Sequence, residues 1–174
     1  MLLGIRCFTI AQAVDNKIDS FRAGTDILIS VDRPLIIQSK RPTVLVLYAL
    51  PNGNSTAQTM GKKMQEGDDW HFDIQHIRAQ TAFIRREWEK TNLIVVYLEN
   101  DYRSWPAWKQ KHPDFKEKIP KLVDSLATHI GGKGCQVYLN GHSGGGSFIF
   151  GYLAGVQKIP SFIKRISFLD SNYG

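Results

Sequence analysis

The sequence predicts an α/β fold: a mainly parallel sheet flanked by helices, with an N-terminal antiparallel strand pair. Three observations predict it. Four short apolar runs, TVLVLYAL (43–50), NLIVVYL (92–98), CQVYLN (135–140) and RISFL (165–169), have the unbroken hydrophobicity of strands covered on both faces. Helical periodicities fill the stretches between them. Each run also leads straight into a polar or glycine-rich cluster, and ligand sites in open α/β sheets lie beyond the carboxyl ends of the strands.

Taken in order, residues 26–31 (DILISV) and 35–38 (LIIQ) read as two strands joined by a turn at Asp32-Arg33-Pro34. The run 43–50 is the first parallel strand. Ile74, Ile77, Thr81, Ile84 and Trp88 then step by three and four, which gives one helical face ahead of the strand at 92–98. Ile119, Leu122, Val123, Leu126 and Ile130 repeat that spacing, and Gly131-Gly132 supply a stop. Pro120 is expected within the first turn of this helix, where its missing N–H is harmless. After the strand at 135–140, GGGSFIFGYLAGV reads as a third helix rich in small residues. No repeat and no Ser/Pro/Gly-rich linker interrupts the chain, so residues 14–174 are expected to form one domain.

Composition narrows the function classes. The 174 residues are 43% hydrophobic and 22% charged, ordinary globular usage that excludes global disorder. No apolar run approaches the ~20 residues of a membrane-spanning helix. The net charge of +6 permits an anionic partner without requiring one. Segment 102–121 interleaves Trp105 and Trp108 with five lysines. That composition suits polyanion binding. A solvated helix start whose tryptophans cover the core is favoured over that, and a third option suits the topology better: tryptophans leaving a strand's carboxyl end would line a substrate cleft. No nucleic-acid partner is expected. Cys7 and Cys135 are too few for a disulfide framework or a zinc site. Residues 1–13 end in Ala11-Gln12-Ala13, the small-x-small pattern before a signal-peptidase cut. They are expected to be a signal-peptide remnant, which would make the protein secreted or periplasmic. A frayed cytoplasmic N-terminus is the competing reading.

The third polar cluster carries the chemistry. Gly141-His142-Ser143-Gly144-Gly145 matches G-x-S-x-G between an apolar strand and a helix. A sharp strand-to-helix turn holds such a serine with its hydroxyl exposed, and bulky side chains two residues away on either side would clash. The turn also sets the serine at a helix N-terminus, where free N–H groups favour developing negative charge. Nucleotide-binding readings fail residue by residue. No Gly-Lys-Ser/Thr is present for a Walker loop, and a G-x-G-x-x-G frame would need glycine at Ile149 or Ser143.

In these residues the chain resembles the α/β-hydrolase superfamily, in its serine esterase and lipase branch, from the strand at 43 to residue 174. The resemblance implies that Ser143 is a nucleophile, that Gly141, His142 and Gly145 shape its elbow, and that the Gly144 N–H is one oxyanion donor. The loop Pro51-Asn52-Gly53-Asn54 would give the second donor, from Asn52 or Gly53. Asp170 would be the triad acid, and Asn54, Glu99, Asp101, Trp105 and Trp108 are candidates for the substrate cleft. The implied reaction is acyl transfer on a small-molecule or carbohydrate ester, with no metal and no organic cofactor.

One departure stands out. The resemblance implies chain order Ser, acid, His, yet no histidine follows Ser143. The 174 residues are therefore expected to be the N-terminal part of a longer hydrolase, lacking the C-terminal part of the domain, and inactive and aggregation-prone alone. Two alternatives remain: a minimal chain that borrows His71 or a partner's histidine, and a non-catalytic hydrolase-like binding domain.

Overall fold

The computed structural model describes residues 16–69, 71 and 75–171. The signal-like segment 1–13, and Ile74 of the first helical periodicity, lie outside the described residues. A mixed six-stranded sheet runs in the order β1-β2-β4-β3-β5-β6. Its strands are β1 (Asn16–Ala23), β2 (Ile27–Pro34), β3 (Thr43–Ala49), β4 (Asn92–Asn100), β5 (Gln136–His142) and β6 (Ile163–Leu169). β3, β4, β5 and β6 are mutually parallel, so all four carboxyl ends meet at one edge. β2 runs antiparallel to β4, with Ile27 opposite Asn100, which brings the β1–β2 turn to that same edge.

The four parallel runs fold as expected, and the opening pair does not. The antiparallel pair is β1 with β2, whereas residues 35–38 form no strand. Instead, 27–34 is one continuous strand through Asp32-Arg33. Asp32 can stay inside it, fully buried, because the Arg85 guanidinium donates to its Oδ1 at 2.7 Å and Asn16 donates at 2.8 Å. A buried carboxylate is tolerated when it is paired and hydrogen-bonded in this way. β1 escaped the sequence reading because it is an edge strand, largely exposed and without an apolar run.

Helices cover both faces. α1 (Thr56–Met60) and α2 (Ile77–Glu87) contribute Met60 and Ile77 to the face built on Val44, Tyr48, Leu93, Val95 and Tyr97. α3 (Trp105–Lys111), α4 (Phe115–Leu126) and α5 (Gly146–Gly155) cover the other, larger face. Strand side chains alternate between these faces with period two. α4 starts earlier than the sequence suggests, so Pro120 lies inside it rather than in its first turn. The Lys116 carbonyl, which Pro120 cannot bond, faces α5, where a Cβ on Gly155 would stand 2.0 Å from it. The small residue at Gly155 thus lets the two helices cross at the defect. Beyond Leu126, α4 continues as a π-helical turn over Ala127–Gly131. Among the described residues no helix is long and apolar enough to cross a membrane.

Candidate active site

β5 ends at His142 and the chain turns at once into a 3-10 turn, Ser143–Gly145, and then α5. Ser143 takes φ 49°, the left-handed region that costs a residue with a Cβ about 1–2 kcal/mol. The surrounding glycines make the turn sterically possible. A Cβ on Gly141 would stand 2.7 Å from the Gly145 carbonyl, and one on Gly145 only 2.1 Å from the Ala49 carbonyl oxygen. The turn is therefore wedged between its own strand and the end of β3. Ser143 is half-buried, and Gly144 and Gly145 are buried.

The β3 loop lies directly on this turn. A Cβ on Gly144 would stand 2.0 Å from the Asn52 Oδ1, so the Asn52 side chain rests where any larger residue would reach. The Gly53 N–H, one of the two expected oxyanion donors, donates instead to the Arg103 carbonyl at 2.8 Å. An N–H has one hydrogen, so Gly53 is corrected out of that role. The Asn52 N–H carries no hydrogen bond among the described residues. The Gly144 N–H sits in the first turn of its helix, where no intrahelical acceptor exists.

The cleft candidates are placed differently from one another. Glu99 accepts from both the N–H and the hydroxyl of Thr56 at 2.7 Å, so its carboxylate anchors the start of α1. Asp101 pairs with Arg22 on the exposed outer side, at 2.7 and 2.8 Å. Trp105 and Trp108 are each 1% exposed. Trp105 packs edge-on against Phe148, and the Trp108 indole donates to Asp26 at 2.9 Å. Both are core residues on the inward face of α3, which Ser104 caps, and Trp105 also lies against a small enclosed pocket lined by Pro51, Asn54, Glu99 and Arg103. Asn54 is buried beside them.

Asp170 follows β6, exposed and at φ 47°. Among the described residues no hydrogen bond joins it to a histidine. His142 accepts at Nδ1 from the Gln75 amide. Burial lowers the His142 pKa from its ordinary 6.5, with the Asp170 charge opposing that shift. A histidine depressed in the folded state contributes stability that is full above the unfolded value and is lost as pH falls below it. The melting temperature of the wild-type protein should therefore fall more steeply than that of His142→Gln between about pH 7 and about pH 5. Parallel curves would show that His142 makes no such contribution.

Ser171 was absent from the sequence candidates, and polarity alone did not distinguish it. Its hydroxyl lies 2.7 Å from the Ser143 carbonyl, 3.0 Å from that of Gly141 and 3.2 Å from that of Leu169. It ties the serine turn to the end of β6. His71 also reaches this edge. Its Nδ1 lies 3.0 Å from Asp69 Oδ1, and its Nε2 is 3.6 Å from where a Cβ on Gly53 would stand. The backbone N–H of His71, with its ring, holds the Asp69 carboxyl below its usual range. No group of three or more His, Cys, Asp or Glu among the described residues is arranged to hold a metal ion.

No protein-family model matches the chain, and none of the curated proteins is similar to it. Among solved structures, it is similar to brefeldin A esterase, described as a bacterial homologue of human hormone-sensitive lipase. The two share 16% identity over 86% of this chain, with a TM-score of 0.45. The chain spans 37% of that structure's length.

Proposed function

We propose that the protein is a serine hydrolase that cleaves an ester-type bond through Ser143. The observation that carries this reading is the Ser143 backbone at φ 49° in a glycine-walled strand-to-helix turn, with the β3 loop resting on Gly144. Strain of this kind, worth about 1–3 kcal/mol, persists where surrounding packing imposes it, and it clusters at functional sites. In the proposed reaction the Ser143 hydroxyl attacks an ester carbonyl, a base takes its proton, and a tetrahedral oxyanion forms. The N–H groups of Gly144 and Asn52 would donate to that oxygen. Collapse expels the alcohol, and water then releases the acid from the acyl-serine. The substrate class is a small-molecule or carbohydrate ester.

One observation favours a second reading, a hydrolase-like domain that binds without turnover. Among the described residues no base is hydrogen-bonded to the Ser143 hydroxyl, and general-base help is worth ~10²–10⁴-fold in rate. A fluorophosphonate probe separates the two. Covalent labelling at Ser143, identified by peptide mass, supports the hydrolase. Resistance to the probe in a complete, folded chain supports the binding domain.

A further inference from the structure

Arginine is an unexpected residue for a left-handed backbone position, where glycine or asparagine costs less. Among the described residues only Arg103, Ser143 and Asp170 combine a side chain with positive φ, at 47°, 49° and 47°. They follow β4, β5 and β6, so the strain gathers at the one sheet edge that carries the serine turn. Arg103 is fixed there by its backbone: its N–H donates to the Asn100 carbonyl at 2.8 Å, and its own carbonyl accepts from Gly53 at 2.8 Å. Gly53 adjoins Asn52, whose side chain rests on Gly144. Backbone contacts thus tie Arg103 to the loop that faces Ser143.

Arg22, Arg33 and Arg85 are each paired with a carboxylate. The exposed Arg103 guanidinium has no paired acceptor among the described residues, and the neighbouring acids are already engaged: Glu99 by Thr56 and Asp101 by Arg22. Arg41, Arg78, Arg86 and Arg165 also show no carboxylate partner among the described residues, and Arg103 differs from them in standing at positive φ at the serine edge. A guanidinium offers a planar fork of donors that matches a carboxylate two bonds at a time.

We propose that Arg103 is an anion-binding subsite beside the serine turn, which selects esters bearing a carboxylate on the part of the substrate that lies over the β3 loop. This rests on the hydrolase reading in placing the scissile bond at Ser143. The strain at Arg103 then has a function, since it holds a long cationic side chain where a glycine would leave the edge neutral.

The test compares mono-para-nitrophenyl adipate, which is anionic, with para-nitrophenyl hexanoate, which is neutral, on the wild-type protein and on Arg103→Gly. Glycine suits φ 47°, so this variant should fold with an unchanged or higher melting temperature. The wild type should favour the anionic ester by about tenfold or more in kcat/KM, mainly through KM, as expected for a charge-assisted pair. Arg103→Gly should lose that preference and Arg103→Lys keep part of it. Equal rates on the two esters, or a preference that survives in Arg103→Gly, would overturn the proposal. Calorimetric titration of monomethyl and dimethyl adipate into Ser143→Ala reads the subsite without turnover. A wild type that cleaves neither ester counts against turnover by these 174 residues and leaves the subsite to be read by binding. The subsite then stands or falls on whether the monoanion binds at least about tenfold tighter than the diester, and whether removing Arg103 from that background abolishes the difference.

Discussion

Ser143→Ala is expected to lower turnover of a short activated ester by about 10⁴-fold or more, with little change in melting temperature. The substitution keeps the Cβ and removes only the hydroxyl, so the backbone strain at φ 49° is the same in both proteins. Ser143→Gly should be equally inactive yet more stable, by about 1 kcal/mol at most, because glycine enters the left-handed region without the Cβ penalty. Rising stability together with lost activity is the signature of strain retained for function. Retained turnover in Ser143→Ala would assign the chemistry to another nucleophile. A Ser143→Gly protein less stable than wild type would mean that the serine hydroxyl itself supports the fold.

The centre of the parallel sheet was legible because β3 and β4 are covered on both faces, whereas β6 is a largely exposed edge strand marked only by the short run RISFL. Runs such as Leu93–Leu98 then contain no polar residue to blur the reading. β1 was illegible for the opposite reason: an exposed edge strand needs no apolar pattern, and its register comes from pairing with β2. Asp32 looked like a turn residue because the sequence does not show that Arg85, on α2, will neutralise it. Short helices such as α1 and α3 bury too few residues to leave a periodicity, and their caps, Ser55 and Ser104, are common residue types. At the site, the serine turn was legible because glycine spacing is a local steric demand. The Gly53 N–H was misread because its acceptor, the Arg103 carbonyl, comes from a distant segment. Trp105 and Trp108 carried an ambiguous composition that only the direction of α3 resolves.

The two buried glycines after Ser143 should respond differently to the same added methyl group, and that difference checks the packing from which the site was built. In Gly145→Ala the new Cβ would stand 2.1 Å from the Ala49 carbonyl oxygen and 2.8 Å from its carbon. Those atoms belong to the end of β3, which is held between β4 and β5 and cannot move without disturbing the sheet. Overpacking against a fixed backbone typically costs about 1–3 kcal/mol, and this geometry belongs at or beyond the upper end of that range. The variant should melt far lower or fail to accumulate as folded protein. In Gly144→Ala the clash is with the Asn52 side chain, at 2.0 Å from Oδ1. An exposed asparagine can swing away, so the stability cost should stay near 1 kcal/mol. Its displacement would disturb the loop proposed to supply the second N–H, and losing one oxyanion donor costs about 10²–10³-fold in kcat. Adding Asn52→Gly to Gly144→Ala removes the clash while keeping the backbone N–H, so the double variant should recover stability and part of the activity. Paired melting curves and ester assays on the three variants decide the matter. Equal destabilisation in both single variants would show that the Asn52 side chain is as immobile as the β3 backbone. A double variant no more active than Gly144→Ala would show that the β3 loop contributes nothing to turnover.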